Sequence, residues 1–333
     1  FAGLHLMDDL TATDGAREQR LAEGRARKAF ARAAVAVAEA PAERSTAVRS
    51  DVDIPKAPFF GVHVEKNFDL NEVFRYINPT ALFKNQWQLK TASQEDYAHL
   101  VQQKYRPLLE KLQEEVAAAR WFHPQAVYGW FPCQSSGNDV ILYDPTGSPV
   151  VPHARDRASV EAGDVAREIQ RFTFPRQKEG RRLCISDFFA AQDSGRVDVI
   201  GLSVVTVGAR ASEESHKLFE AGEYTRYLYL HGLSVETAEA LAELLHKHMR
   251  QELGIAGGDS PNIRDLFHQK YRGSRFSFGY PACPSLEDQT KIFALLDPEH
   301  TIGVRLTSGY QIEPEQSTSA IVVHHPEAKY FVA

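Results

Sequence analysis

Large apolar residues are sparse at the start of this 333-residue chain and dense after residue 55. Residues 1–10 place Phe1, Leu4, Leu6, Met7 and Leu10 at helical spacing, which predicts the last helix of a preceding domain. Residues 11–50 are rich in Ala, Arg and Glu and nearly free of large apolar side chains. Such a stretch can form helix but has little to bury, so residues 11–54 read as an inter-domain linker with helical stretches. Pro55 and Pro58 mark the start of a compact domain over 55–333. Within it, residues 70–76 and 79–89 are short segments on either side of a turn at Asn78-Pro79, where the residue before proline is pushed out of the helical region. Residues 94–120 are strongly helical, with Ser93 as N-cap, Leu100, Tyr105, Leu108, Leu112 and Val116 near one face, and a kink or restart at Pro107.

Residues 127–134 and 139–143 alternate around Ser135-Ser136-Gly137-Asn138, which predicts a hairpin. The β-branched run 197–207 is a buried strand preceded by a turn at 193–195. Helical periodicity covers 211–221 and, at length, 223–253, stopped by Gly254 and the Gly257-Gly258 pair. A shorter helix is expected at 263–271 and another at 286–296 behind Ser285 as N-cap. Strands are expected at 302–307, 319–325 and 330–332. Helices and strands do not alternate regularly, so the pattern favours an α+β fold with a largely antiparallel sheet over a doubly wound one.

The composition is 43% hydrophobic and 25% charged, that of an ordinary globular protein, and the net charge of −6 argues against a general nucleic-acid surface. No apolar run approaches a membrane span, and no leader pattern is present. Cys133, Cys184 and Cys283 are far apart and odd in number, which suits reduced thiols in a cytoplasm better than a disulfide frame. The chain opens on Phe1 and is expected to be a piece of a longer protein. His246 and His248 are two residues apart on a helical stretch and share no face, and His324-His325 would point to opposite faces of a strand, so no metal is expected. No nucleophile elbow or dinucleotide fingerprint is present.

The stretch from Arg275 to Pro284 holds the most specific chemistry. Arg275 offers a planar fork of donors for a carboxylate. Four residues on, Gly279 allows close backbone approach, and Tyr280 adds a flat face with a polar tip. Together they could hold an amino acid attached to a planar ring; the plainer alternative, which the residues alone favour, is a loop in which Arg275 caps a helix and Tyr280 fills the core.

Arg275-x-x-x-Gly279-Tyr280-Pro281-Ala282-Cys283-Pro284 resembles the S-adenosylmethionine-binding signature of the C-terminal activation domain of cobalamin-dependent methionine synthase. Residues 81–88 (ALFKNQWQ), 128–132 (YGWFP) and 325–331 (HPEAKYF) resemble other blocks of that domain in the same order, and the likeness runs from about residue 55 to the end of the chain. The resemblance implies a twisted antiparallel sheet with helices in a C-shaped arrangement. It implies a site for S-adenosylmethionine built from Arg275, Gly279, Tyr280, Ser277, Asn78, Tyr330 and Phe331, with Arg275 on the ligand carboxylate and the edge backbone of 329–331 reading adenine. Asn78 stands at a position that can be Asp in the family, and Lys247 and Gln269 stand where some relatives carry carboxylates. The implied task is reductive methylation of cob(II)alamin to methylcobalamin, with S-adenosylmethionine as methyl donor. That task needs no general acid or base, so no catalytic residue is expected, and this piece alone is not expected to turn over. The implied partners are the cobalamin-binding domain of the same enzyme, whose tail would be residues 1–10, and a flavodoxin-like or flavoprotein reductase as electron donor. Two rivals are a redox-partner docking module without ligand chemistry, and a self-contained S-adenosylmethionine-dependent methyltransferase.

Overall fold

A computed structural model describes residues 43–146 and 166–333. The helix expected at 1–10 and the linker through residue 42 lie outside the described residues. Among these, the chain builds an antiparallel sheet of seven strands flanked by helices, the α+β architecture that the irregular order of elements predicts. The hairpin around Gly137 forms as expected, from β2 (Gln125–Ser136) and β3 (Asp139–Tyr143), with Ser136 opposite Asp139. Beside β2 lies β5 (Asp198–Thr206), buried at every position. With β1 (Gly61–Glu65) paired to β2, the rest follow in the order β4 (Glu168–Thr173), β3, β2, β5, β9 (Ser317–Val323), β6 (Ser274–Phe276). A separate two-stranded ribbon joins β7 (Arg305–Leu306) and β8 (Ile312–Glu313).

Strand alternation divides the interior into two apolar cores. Trp130, Val199, Val205 and Val322 face one core, and Phe131, Ile200, Leu202, Val204, Ile321 and Val323 face the other. The first is covered by helices α1 (Leu70–Arg75), α3 (Gln94–Leu100), α4 (Arg106–Ala119), α5 (Ala209–Glu220) and above all the 29-residue α6 (Tyr224–Glu252), while the short α2 (Pro79–Ala81) contributes no buried residue. α7 (Ile263–Leu266) follows, while α8 (Gln289–Leu296) and α9 (Pro298–Ile302) close the second core. Ser93 caps α3 by accepting the Asp96 N–H at 3.0 Å. The break expected at Pro107 takes the form of a π turn, Val101–Tyr105, between α3 and α4, because proline cannot supply the next helical donor. α6 ends at Glu252 with Leu253 as its C-cap, and Gly254 takes the left-handed conformation at φ +69°. Gly232 lets this helix lie against the 82–87 segment, where a Cβ would meet Gln86 and Trp87 at 2.8 and 2.9 Å.

Several expected elements differ. Residues 330–332 form no strand, because Lys329 rather than a ladder fixes that segment, its Nζ bonded to the Gln269 and Tyr271 carbonyls at 2.7 and 2.6 Å. The helix at 263–271 stops at Leu266, and residues 302–307 divide between the end of α9 and β7. Ser285 makes no side-chain cap, and its helix opens with a 3-10 turn, Leu286–Asp288. Strands β1, β4 and β8 have no counterpart among the expected elements, and β6 forms where a loop is expected around Arg275.

The compact unit begins at Glu43. Residues 43–54, read from sequence as the end of the linker, lie along the second core as a strap. Val48 is buried, and Arg44 donates to the Phe189 carbonyl at 2.7 Å. The Ser45 hydroxyl donates to the Arg181 carbonyl, and the Ser45 N–H donates to Asp187. Asp187 is itself held by both Arg176 Nη atoms, at 2.6 and 2.9 Å. Arg49 pairs with Glu327 at 2.9 Å, and the His325 ring donates to the Arg49 carbonyl while accepting the Glu327 N–H. No helix among the described residues is long and apolar enough to cross a membrane, and none of their His, Cys, Asp and Glu side chains gather in a set able to hold a metal.

Candidate functional site

A cleft of about 350 Å³ opens where β6 ends the sheet and the two cores meet. Among the described residues β6 pairs with β9 alone, leaving its other edge open to a ligand. Alternation buries Ser274 and Phe276 and turns Arg275 into the cleft. Beyond it, Gly279 sits at φ +88°, where a side chain would be strained and its Cβ would press on Leu286 at 3.1 Å. Its N–H donates to the Cys283 carbonyl at 2.9 Å, closing a turn that projects Tyr280 outward with 56% of its surface exposed.

Opposite Arg275, α6 presents Glu236, Glu239 and Glu243 along one face, three and four residues apart. Arg275 Nη2 lies 3.5 Å from Glu239 Oε2 and 3.4 Å from Glu243 Oε2. Glu243 Oε1 is buried and has no hydrogen-bond partner among the described residues. Burial holds the Glu243 carboxyl above its ordinary range, with Arg275 and then Arg250 opposing the rise. Burial also raises Glu236, to about 7, although the Gln86 amide donates to it at 3.3 Å; neighbouring Glu239 adds to the rise. A third wall comes from α2, where Asn78 Oδ1 accepts the Thr80 and Ala81 N–H groups at 3.1 and 3.4 Å. That oxygen is committed to the cap, so Asn78 offers the cleft the donors of its amide. The floor is Tyr271, with the Arg250 guanidinium 3.9 Å from its ring centre and the His246 ring edge-on at 5.2 Å. Burial, then the charge of Arg250, pushes His246 far below the usual imidazole range, so it is a neutral core residue. Gln269 and Tyr330 complete the rim, with the Tyr330 N–H donating to Gln269 Oε1 at 3.3 Å.

The cleft brings together Asn78, Arg275, Ser277, Tyr280 and Tyr330, which lie far apart in sequence. Gly279 shapes the turn without lining the cleft. Phe331 does not reach it: the ring is 7% exposed and packs in the second core at 5.9 Å from Phe276 and 6.2 Å from Phe188. Gln269 lines the rim, whereas Lys247 does not line the cleft and donates to the hydroxyl of Tyr76, which does, at 2.9 Å. Sequence reasoning missed the acidic row. Its signal is three Glu at i, i+3 and i+7 on a helix whose neighbouring positions are Ala and Leu.

Residues 69–333 match the family described as vitamin B12 dependent methionine synthase, activation domain. The methionine synthase of Mycobacterium tuberculosis (strain ATCC 25618 / H37Rv) is 37% identical over 367 residues, covering 99% of this chain and 29% of that protein. The methionine synthase of Mycobacterium leprae (strain TN) is 37% identical over 366 residues with the same shares. The chain therefore spans 29% of the length of these relatives. A crystal structure of the MetH reactivation domain bound to AdoHcy matches with a TM-score of 0.71 at 25% identity, over 85% of this chain and 84% of that one. With its family match over four-fifths of the sequence and the same fold in that solved domain, the chain belongs to the vitamin B12 dependent methionine synthase activation domain family.

Proposed function

We propose that this chain is the reactivation module of a cobalamin-dependent methionine synthase and that its cleft binds S-adenosylmethionine. The observation that carries the reading is the charge arrangement in the cleft: one guanidinium on a sheet edge faces three carboxyl groups, one of them with a buried oxygen lacking a partner. S-adenosylmethionine carries a carboxylate, an ammonium and a sulfonium, and this is the complementary set. Arg275 takes the carboxylate through a charge-assisted pair. The acidic row takes the cationic groups. The Asn78 amide and the Ser277 hydroxyl supply polar contacts, and the exposed rings of Tyr280 and Tyr330 give flat surfaces for the adenosine. Gly279 and Phe331 act indirectly, one by setting the turn that carries Tyr280, the other by anchoring the segment that carries Tyr330. The solved relative bound AdoHcy, the form left after the methyl group has gone, which supports the same cleft for the donor.

On this reading residues 1–10 are the tail of a cobalamin-binding domain, the residues from there to 42 link it to the activation domain, and the whole acts in the cytoplasm with a flavodoxin-like or flavoprotein reductase. Bound in the neighbouring domain, cobalamin supplies the reduced cobalt that accepts the methyl group. The residues of this chain hold the donor in a fixed orientation and keep water from its cationic end, which is catalysis by alignment. The methyl transfer itself calls for no general acid or base.

Calorimetry with S-adenosylmethionine tests the reading. One saturable site on this chain is expected, and no methyl transfer to homocysteine from radiolabelled donor until a cobalamin-loaded domain is added. Absence of binding would leave the docking module as the better account, and turnover by the chain alone would favour a self-contained methyltransferase.

A further inference from the structure

The three carboxyl groups in the cleft are not equivalent. Arg275 reaches Glu239 and Glu243, whereas the hydrogen bond Glu236 makes is to the neutral Gln86 amide. The nearby ammonium groups are engaged elsewhere: Lys247 donates to the Tyr76 hydroxyl, and Lys329 is held by the Gln269 and Tyr271 carbonyls. Glu236 is nevertheless buried, at 7% exposure, and lines the cleft. Burial leaves it at about 7, half protonated in neutral solution. A cation placed within about 4–6 Å of such a carboxyl lowers its pKa by roughly one to three units, and a neutral group does not. Glu243 Oε1, buried and unpartnered in the same row, marks independently where positive charge is wanted.

S-adenosylmethionine, on the reading given above, brings a sulfonium into this cleft. The demethylated product brings an uncharged thioether of nearly the same shape. We propose that Glu236 is the residue by which the cleft tells donor from product: bound sulfonium fixes it as a carboxylate, and bound thioether leaves it as it stands in the empty cleft, free to carry a proton. Donor binding then releases a proton to solvent, and the carboxyl takes one back once the methyl group has left. The donor meets a full carboxylate, whereas the uncharged thioether forms no ion pair with this group, so product dissociates without a charge pair holding it. Other titratable groups facing the cleft are Glu239 and Glu243 on the same helix, Arg275 on β6, Cys283 and Tyr280 on the following loop, and Tyr76, Tyr271 and Tyr330 on the remaining walls. Burial moves the Tyr271 phenol and the Cys283 thiol further up, away from neutrality. Glu243 has Arg275 at 3.4 Å to hold its charge, which Glu236 lacks.

The test is calorimetry at about pH 7 in two buffers of different ionisation enthalpy, which counts protons exchanged on binding. For the wild-type chain, S-adenosylmethionine should release roughly half a proton and S-adenosylhomocysteine close to none. The preference for the sulfonium ligand should rise roughly three- to tenfold from about pH 6 to about pH 8. Glu236→Gln should bind both ligands while losing the proton release and the pH dependence. Equal proton counts for the two ligands would overturn the inference without any substitution, as would release that persists in Glu236→Gln. If neither ligand bound, the S-adenosylmethionine reading itself would fall, and this inference with it.

Discussion

Arg275 is held by protein before it meets a ligand. Two carboxylates on α6 fix its guanidinium at 3.4 and 3.5 Å, so the donor fork is oriented in advance and a ligand carboxylate joins an existing network. A charge-assisted hydrogen bond contributes roughly 1.5–3 kcal/mol, so Arg275→Ala should weaken S-adenosylmethionine binding about tenfold or more. Arg275→Lys should recover only part of this, because an ammonium cannot present two parallel donors. Calorimetry on the folded variants reads both, and unchanged affinity in Arg275→Ala would remove the carboxylate assignment. Glu236 carries a separate consequence for stability. Its folded value of about 7 lies above that of an unfolded glutamate, so folding favours the protonated form. The cost of that carboxyl is absent below the ordinary glutamate range, grows as pH rises from there to about 7, and is constant beyond. Glu236→Gln should therefore stabilise the ligand-free chain by roughly 1–3 kcal/mol at about pH 8 and by much less at about pH 5. Thermal melts at the two pH values check this.

Among the elements, α6 ties the cleft to the core. Gly232 sits where this helix crosses the 82–87 segment. Gly232→Ala would gain about 1 kcal/mol of helix propensity, yet its Cβ would push Gln86 and Trp87 away, and overpacking of that kind costs typically 1–3 kcal/mol. A net loss in urea denaturation is expected, and no loss would mean that the segment shifts freely. Much of this level was legible in the sequence where periodicity and end signals agree. The helical stretch from 94 to 119 had its Ser93 cap and one apolar face, the hairpin had its glycine turn, and β5 was rich in β-branched residues. Legibility failed where tertiary contacts decide. The aromatic pattern at 330–331 reads as strand, but the Lys329 ammonium and the packing of Phe331 fix that segment without a ladder. In the site, the Arg275 loop declared itself through Gly279 and two prolines. The acidic row did not, since Glu on a long helix ordinarily signals a solvated face, and only the folded arrangement turns Glu236 and Glu243 inward.

At the scale of the whole molecule, the strap changes where the domain starts. Residues 43–54 hold Val48 in the second core and satisfy groups on the buried Asp187 and on the Phe189 and Arg181 carbonyls. A chain beginning at Glu43 should melt several degrees above one beginning at Pro55, because Asp187 loses a partner and Val48 leaves a gap. Equal melting points would show that the strap adds nothing to the body. The strap and the cleft also lean on one short piece of chain. Residues 324–331 receive Arg49 on Glu327 and His325, and a few residues later supply Lys329 and Tyr330 to the cleft rim. Two occupancies that share a support are thermodynamically linked, and the linkage runs equally in both directions. A ligand that orders Tyr330 should slow hydrogen exchange at the strap amides of Ser45 and Arg49. By the same reciprocity, whatever tugs on the chain upstream of Glu43 changes how firmly the cleft closes on its ligand.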